Sequence, residues 1–375
     1  MAVNTSAPAA AVRRPPPRFR TKLALATVSV VVSVVVAEAV ASLAHGGAYP
    51  FLNVFERDAE LGVRLRANAS TRVRSRSGRV TNIRTNSLGF RGREWDGTHT
   101  PARDAVRVLL LGDSQMFGYG VDERSYLAAQ LEEGGRITVL NASVPTWGPP
   151  DYVIALRSLA PQYRPRFVLF VANAANDWFE PVPNRRRTTA QDGWATRFGT
   201  PPAPWFPFRE YVMGRSHLAL GVRQITSYVG DAQLPPSQSA LRLKTDLGTL
   251  RRGTPPHRST VTPNLKAAVD VCAELGCEVI AVALPLDVQV NAAEWAKYRA
   301  APADLTDTEA LLDDFVADAR ELQVAAVNLL PPLRGAEPGA FLDDDYHLSP
   351  KGHRVVADAI APLLRREQVT LGETP

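Results

Sequence analysis

Lysine is almost missing from this sequence: of its 43 basic residues only Lys22, Lys244, Lys266, Lys297 and Lys351 are not arginine. The arginines are scattered and no nucleic-acid motif accompanies them, so the net charge of +5 does not point to a nucleic-acid partner. Cysteine is equally scarce. Cys272 and Cys277, in "VCAELGCEV", match neither a disulfide framework nor a zinc spacing, and read as apolar residues at a helix end and a strand start. Apolar residues are not scarce. At 45% of 375 residues they exclude a disordered chain and allow one α/β domain with an appendage.

The first long apolar run sets the topology. Residues 1–22 carry Arg13, Arg14, Arg18, Arg20 and Lys22, and precede "LALATVSVVVSVVVAEAVASLA" (Leu23 to Ala44), interrupted only by small hydroxyls and Glu38. Twenty-two residues at about 1.5 Å each reach about 33 Å, enough to cross a bilayer core. Basic residues before the run and none directly after it predict a cytoplasmic N-terminus and an exported body. A secretory signal cleaved near "AVA" (Ala39 to Ala41) is the competing reading, and it exports the body too.

Residues 45–104 read as a juxtamembrane, β-rich segment. In "TRVRSRSGRVTNIR" charged and uncharged residues alternate, and Ser77-Gly78 is placed to turn a hairpin. The guanidinium row is either a solvated face beside the main domain or a contact for anionic lipid or acidic glycan. From Val106 to residue 366 apolar strands alternate with amphipathic helices. Strands are predicted at Val106–Gly112, Ile137–Ser143, Phe167–Asn173, Glu278–Pro285 and Val324–Leu329, which implies a five-stranded parallel sheet covered on both faces, a three-layer α/β/α sandwich. Residues 178–260, rich in proline, interrupt this rhythm just after a strand and are predicted to hang over the site as a lid or platform. Residues 367–375 form a tail.

The strand "VLLLG" stops at Asp113 and Ser114, so the serine hydroxyl stands where ligands bind open α/β sheets. A serine needs a base and an orienting carboxylate. Among six histidines only His347, in "FLDDDYHLSPKGH", combines an acidic cluster with the loop before the last helix. Asp344, three residues earlier, is the candidate carboxylate. "VLNASVPTWGPP" and "FVLFVANAANDW" end the second and third strands at the same edge. There the N–H groups of Ser114 and Ser143 and the amide of Asn176 are candidates for an oxyanion hole. Trp147 and Trp178, beside these residues, and Trp194 and Trp205 in the insertion are candidate substrate contacts or simply packing.

These four stretches, in this order, resemble the SGNH hydrolase superfamily of GDSL esterases and lipases over roughly Arg107 to Leu364. The resemblance implies a flavodoxin-like fold, Ser114 as nucleophile, His347 as general base and then acid, and Asp344 as its carboxylate. It implies oxyanion donors at Ser114, Ser143 and Asn176, and no metal or organic cofactor. Ser143 and Ala175 stand where the family usually has glycine, which would strain a left-handed backbone. Gln115 replaces a common leucine without evident consequence, and "NSLGFRGRE" resembles the leader of membrane-tethered members. The function so implied is ester hydrolysis through an acyl-serine, with O-acetyl groups on a cell-surface glycan as one substrate class. An O-acyltransferase or a lipid or thioester hydrolase would use the same triad. A non-catalytic module binding an acylated glycan is the alternative of another class.

Overall fold

The computed structural model describes residues 19–75, 77–95, 105–179, 182–199, 209–221, 258–298 and 301–365. The basic stretch before Phe19, Trp205 and the tail after Arg365 lie outside the described residues.

A helix spans Phe19–Ala44 with none of its residues buried, and it is long and apolar enough to cross a membrane. It begins four residues before the predicted run, because Phe19 to Lys22 continue the helix without a breaker. After it come two antiparallel pairs. Strand β1 (Phe55–Asp58) pairs with β2 (Gly62–Leu65), and β3 (Ser70–Arg74) pairs with β4 (Val80–Arg84). The β3–β4 turn falls at Ser77-Gly78 as predicted, with Gly78 at φ 88°.

The main sheet is built from β5 (Val106–Leu111), β6 (Ile137–Asn141), β7 (Phe167–Asn173), β10 (Glu278–Leu284) and β11 (Ala325–Asn328), all parallel, in the order β11-β10-β7-β5-β6. Strands β8 (Thr188–Gln191) and β9 (Trp194–Arg197) form a hairpin outside it. The order is the flavodoxin-like 2-1-3-4-5, whose direction reverses beside β5. Leu109 to Leu111 and the whole of β7 are buried, as expected of strands covered on both faces. Helices Pro149–Tyr163, Arg258–Leu275 and Thr306–Glu321 pack on one another, and Pro350–Ile360 packs between Leu127–Leu131 and Leu330–Ala336. Local signals start them: Pro149 and Pro350 occupy first-turn positions, and the Ser349 hydroxyl accepts the Gly352 N–H at 3.1 Å.

One expectation about the appendages changes. Cys272 and Cys277 are joined in a disulfide. The turn at Gly276 folds the helix end back onto the start of β10 and brings the two side chains together, which spacing alone did not reveal. In the described part of the insertion, Asn184 Nδ2 donates to Thr146 Oγ1 and Arg187 Nη2 to Thr146 O, both at 3.2 Å, in the loop after β6. The insertion's β8–β9 hairpin docks on β1, with Phe55 N–H donating to Gly193 O (2.9 Å) and Arg57 Nε to Ala190 O (2.8 Å).

Candidate active site

Gly112 carries the chain from β5 into the short helix Ser114–Phe117. A Cβ at Gly112 would lie 2.6 Å from Met116 Cγ, so only glycine lets that helix sit directly on the strand end. Asp113 caps it, accepting the Gln115 N–H at 2.9 Å, and accepts the Asn173 amide at 2.8 Å and the Asn176 side chain. Burial pushes the Asp113 carboxyl upward, opposed by these hydrogen bonds and by His347. The aspartate of the Gly-Asp-Ser stretch thus ties the serine turn to the end of β7.

Ser114 Oγ lies 2.8 Å from His347 Nε2. The loop carrying His347 is held by Gln115: its Nε2 donates to Tyr346 O and its Oε1 accepts the Leu348 N–H, both at 2.9 Å. The residue after the serine therefore grips the backbone on both sides of the histidine. That role was missed because the side chain's direction, inward along the helix start, is a tertiary fact. His347 also packs against the Tyr346 ring at 4.4 Å and the Tyr119 ring at 5.0 Å.

The carboxylate beside His347 is not the expected one. Asp345 Oδ1 lies 3.0 Å from His347 Nδ1, an ion-pair contact rather than an aligned hydrogen bond. Asp344 instead accepts the N–H of Ser77 in the β3–β4 turn. Partial burial raises Asp344, but hydrogen bonds from Ser77 and Ser75 outweigh it and leave its carboxyl below the usual range. With three consecutive aspartates, sequence spacing cannot decide which one the turn rotates toward the imidazole.

The other expected donors also differ. The Ser143 N–H donates within its own turn to Asn141 Oδ1 at 3.2 Å, and its hydroxyl donates to Leu110 O at 3.4 Å, so neither is directed at Ser114. Ser143 has no left-handed backbone, so replacing glycine there carries no strain. Ser114 begins its helix, and its N–H has no partner within it. Trp147 and Trp178 are buried in the core. Trp147 Nε1 donates to Val63 O at 2.9 Å, fastening β2 to the domain, while Trp178 packs edge-on against Phe315. Trp194 is likewise buried, against Tyr49 and Phe51.

Arg91, from the "NSLGFRGRE" leader, is buried with its guanidinium on the carbonyls of Phe117, Gly118 and Val121, just beyond the serine helix, and over the Tyr126 ring at 4.7 Å. Burial lowers its pKa. A cavity of about 560 Å³ opens at His347. One side is formed by Tyr119, Lys297 and Tyr346, and the other by His45, Phe51 and Arg74 of the segment that follows the N-terminal apolar helix. No residue of the insertion lines it among the described residues. Lys297 donates to Asp345 O at 3.2 Å and pairs with Glu294, bracing the histidine loop. Among the described residues no cluster of ligating side chains could hold a metal ion.

A flavodoxin-like sheet with a serine at the end of its first strand and a histidine before its last helix makes this a three-layer α/β/α domain with a serine–histidine pair at the sheet edge. Residues 250–375 match the family model described as "SGNH hydrolase-like domain, acetyltransferase AlgX". Similar solved structures include a GDSL-like lipase from Bacteroides thetaiotaomicron, with 11% identity over 71% of this chain and 91% of that one (TM-score 0.39). The esterase EstA from Pseudoalteromonas sp. has 14% identity over 70% and 98% (TM-score 0.37). A carbohydrate acetylesterase family member from Sinorhizobium meliloti has 15% identity over 70% and 98% (TM-score 0.36). No curated protein matches the chain.

Proposed function

We propose that the protein is a membrane-anchored serine esterase or acyltransferase that works through an acyl-Ser114 intermediate. The observation that carries this reading is the 2.8 Å contact between Ser114 Oγ and His347 Nε2. As Oγ bonds to the ester carbonyl carbon, its proton passes to Nε2. Collapse of the tetrahedral adduct breaks the bond to the alcohol, which takes the proton from His347. Water or a second alcohol then attacks the acyl-serine by the same route in reverse. Asp345 stabilises the imidazolium through Nδ1, and the Ser114 N–H with the Asn176 amide, oriented by Asp113, serves the oxyanion. No cofactor is required. Transfer to an alcohol is favoured as the second half-reaction by the acetyltransferase description of the family model that matches residues 250–375.

For its location, the reading is a cytoplasmic N-terminus and an exported body. The basic residues ahead of the apolar helix and the Cys272–Cys277 disulfide, a bond typical of oxidising compartments, support it.

The test uses the full-length protein with a fluorophosphonate probe and p-nitrophenyl acetate. Ser114→Ala and His347→Ala lose both labelling and turnover, whereas Asp345→Asn lowers turnover about 100-fold or more and Asp344→Asn changes it little. Labelling retained in Ser114→Ala, or absent from the folded wild type, refutes the assignment. In the latter case a module that binds an acylated ligand without turnover becomes the better reading.

A further inference from the structure

The membrane helix does not hang free of the folded body. Arg72 Nη1 donates to Gly46 O and Arg74 Nη2 to His45 O, both at 2.9 Å, so two guanidinium groups sit on carbonyls just past the helix end. Tyr49 joins the edge of β3, its N–H donating to Arg72 O (2.8 Å) and its O accepting from Arg74 N (2.7 Å). Deeper in the helix, Glu38 accepts the Ser216 hydroxyl (2.6 Å) and the N–H groups of His217 (2.7 Å) and Leu218 (3.0 Å). The body therefore reaches down beside the last turns of the helix. The apolar run starts at Leu23, after Arg20 and Lys22, and at about 1.5 Å per residue a hydrocarbon core of about 30 Å ends near Leu43, so Glu38 lies about 8 Å below the outer boundary. Ala44 then stands at that boundary, and the segment after it enters the headgroup layer.

The cavity beside His347, the partner of Ser114, opens at this level. Its wall opposite His347 includes His45, Ala48, Pro50 and Phe51, the residues that leave the membrane. Phe51 is 61% exposed and Leu43 80% exposed, so apolar side chains line the path between the bilayer and the cavity. We infer that the cavity takes its acyl donor from the membrane: an ester borne by a bilayer-resident lipid, with its carbonyl in or just above the headgroup layer. This inference rests on the serine-hydrolase reading and adds the substrate class. The step is unchanged: Ser114 Oγ bonds to the lipid ester's carbonyl carbon, and the lipid-borne alcohol departs with the proton from His347.

The test compares two probes in phosphatidylcholine vesicles holding the full-length protein. Each is a dialkylglycerol anchor carrying the same fluorogenic acetyl ester, attached either directly at headgroup level or through a polyethylene glycol spacer of about 40 Å. Both are confined to the membrane, so only height differs. The short probe is expected to be cleaved about tenfold faster, because a long tether dilutes the ester away from the surface. Equal rates, or faster cleavage of the long probe, overturn the inference while fluorophosphonate labelling of Ser114 leaves the enzyme reading intact. Absence of labelling in the folded wild type removes both.

Discussion

Gln115 shows how much of this site depends on a side chain without chemistry of its own. It is buried, and its amide is matched on both sides by the His347 loop, so a leucine there would fill the space and leave Tyr346 O and Leu348 N–H unpaired. Gln115→Leu is expected to lower kcat about 10- to 100-fold on a small ester, since displacing a catalytic group by about 1 Å has that effect. KM should stay nearly constant, because Gln115 touches no substrate. Steady-state kinetics with a thermal melt check this, and an unchanged kcat would reduce Gln115 to packing. Arg91 works likewise on the serine, satisfying three carbonyls around the left-handed turn at Gly118. Arg91→Met removes all those donors at once and should destabilise the fold by about 3 kcal/mol or more, measured by chemical denaturation.

At the scale of elements, the end of β5 presents Ser114 only because the helix after it lies against the strand end. Gly112→Ala puts a methyl within 2.6 Å of Met116 Cγ and must tilt that helix. The expected result is loss of labelling at Ser114 that exceeds any loss in melting temperature. The disulfide joins the helix Arg258–Leu275 to β10 across a separation of five residues. So short a loop limits the entropy removed from the unfolded chain, and Cys272→Ser with Cys277→Ser should lower stability by about 2 kcal/mol without affecting turnover.

Across the whole molecule, acid stability reports on a buried histidine. His353 lies against Arg91, and burial, then the charges of Arg91 and His347, bring its pKa down to about 3. The unfolded chain therefore takes up a proton near pH 6.5 that the folded protein refuses, so stability from this residue is full above pH 6.5 and falls as pH drops toward 3. Asp151 and Asp287, raised to about 6 by burial, act in the opposite sense between pH 6 and 3.8. The contrast with His353→Phe isolates the histidine: the variant should gain about 2 kcal/mol on the wild type between pH 7 and pH 5, read from denaturation curves at each pH. A constant difference would mean that His353 is not held neutral. The sequence alone determined the long apolar helix, the five parallel strands, the β3–β4 hairpin, and the places of the serine and histidine at the sheet edge. Each rests on local periodicity or on a residue's position in its own element. Tertiary structure decided which aspartate faces His347, that Trp147 and Trp178 are core, that the cysteines pair, and that the cavity wall comes from the segment after the apolar helix. Those outcomes depend on side-chain directions and long-range docking, which no local pattern encodes.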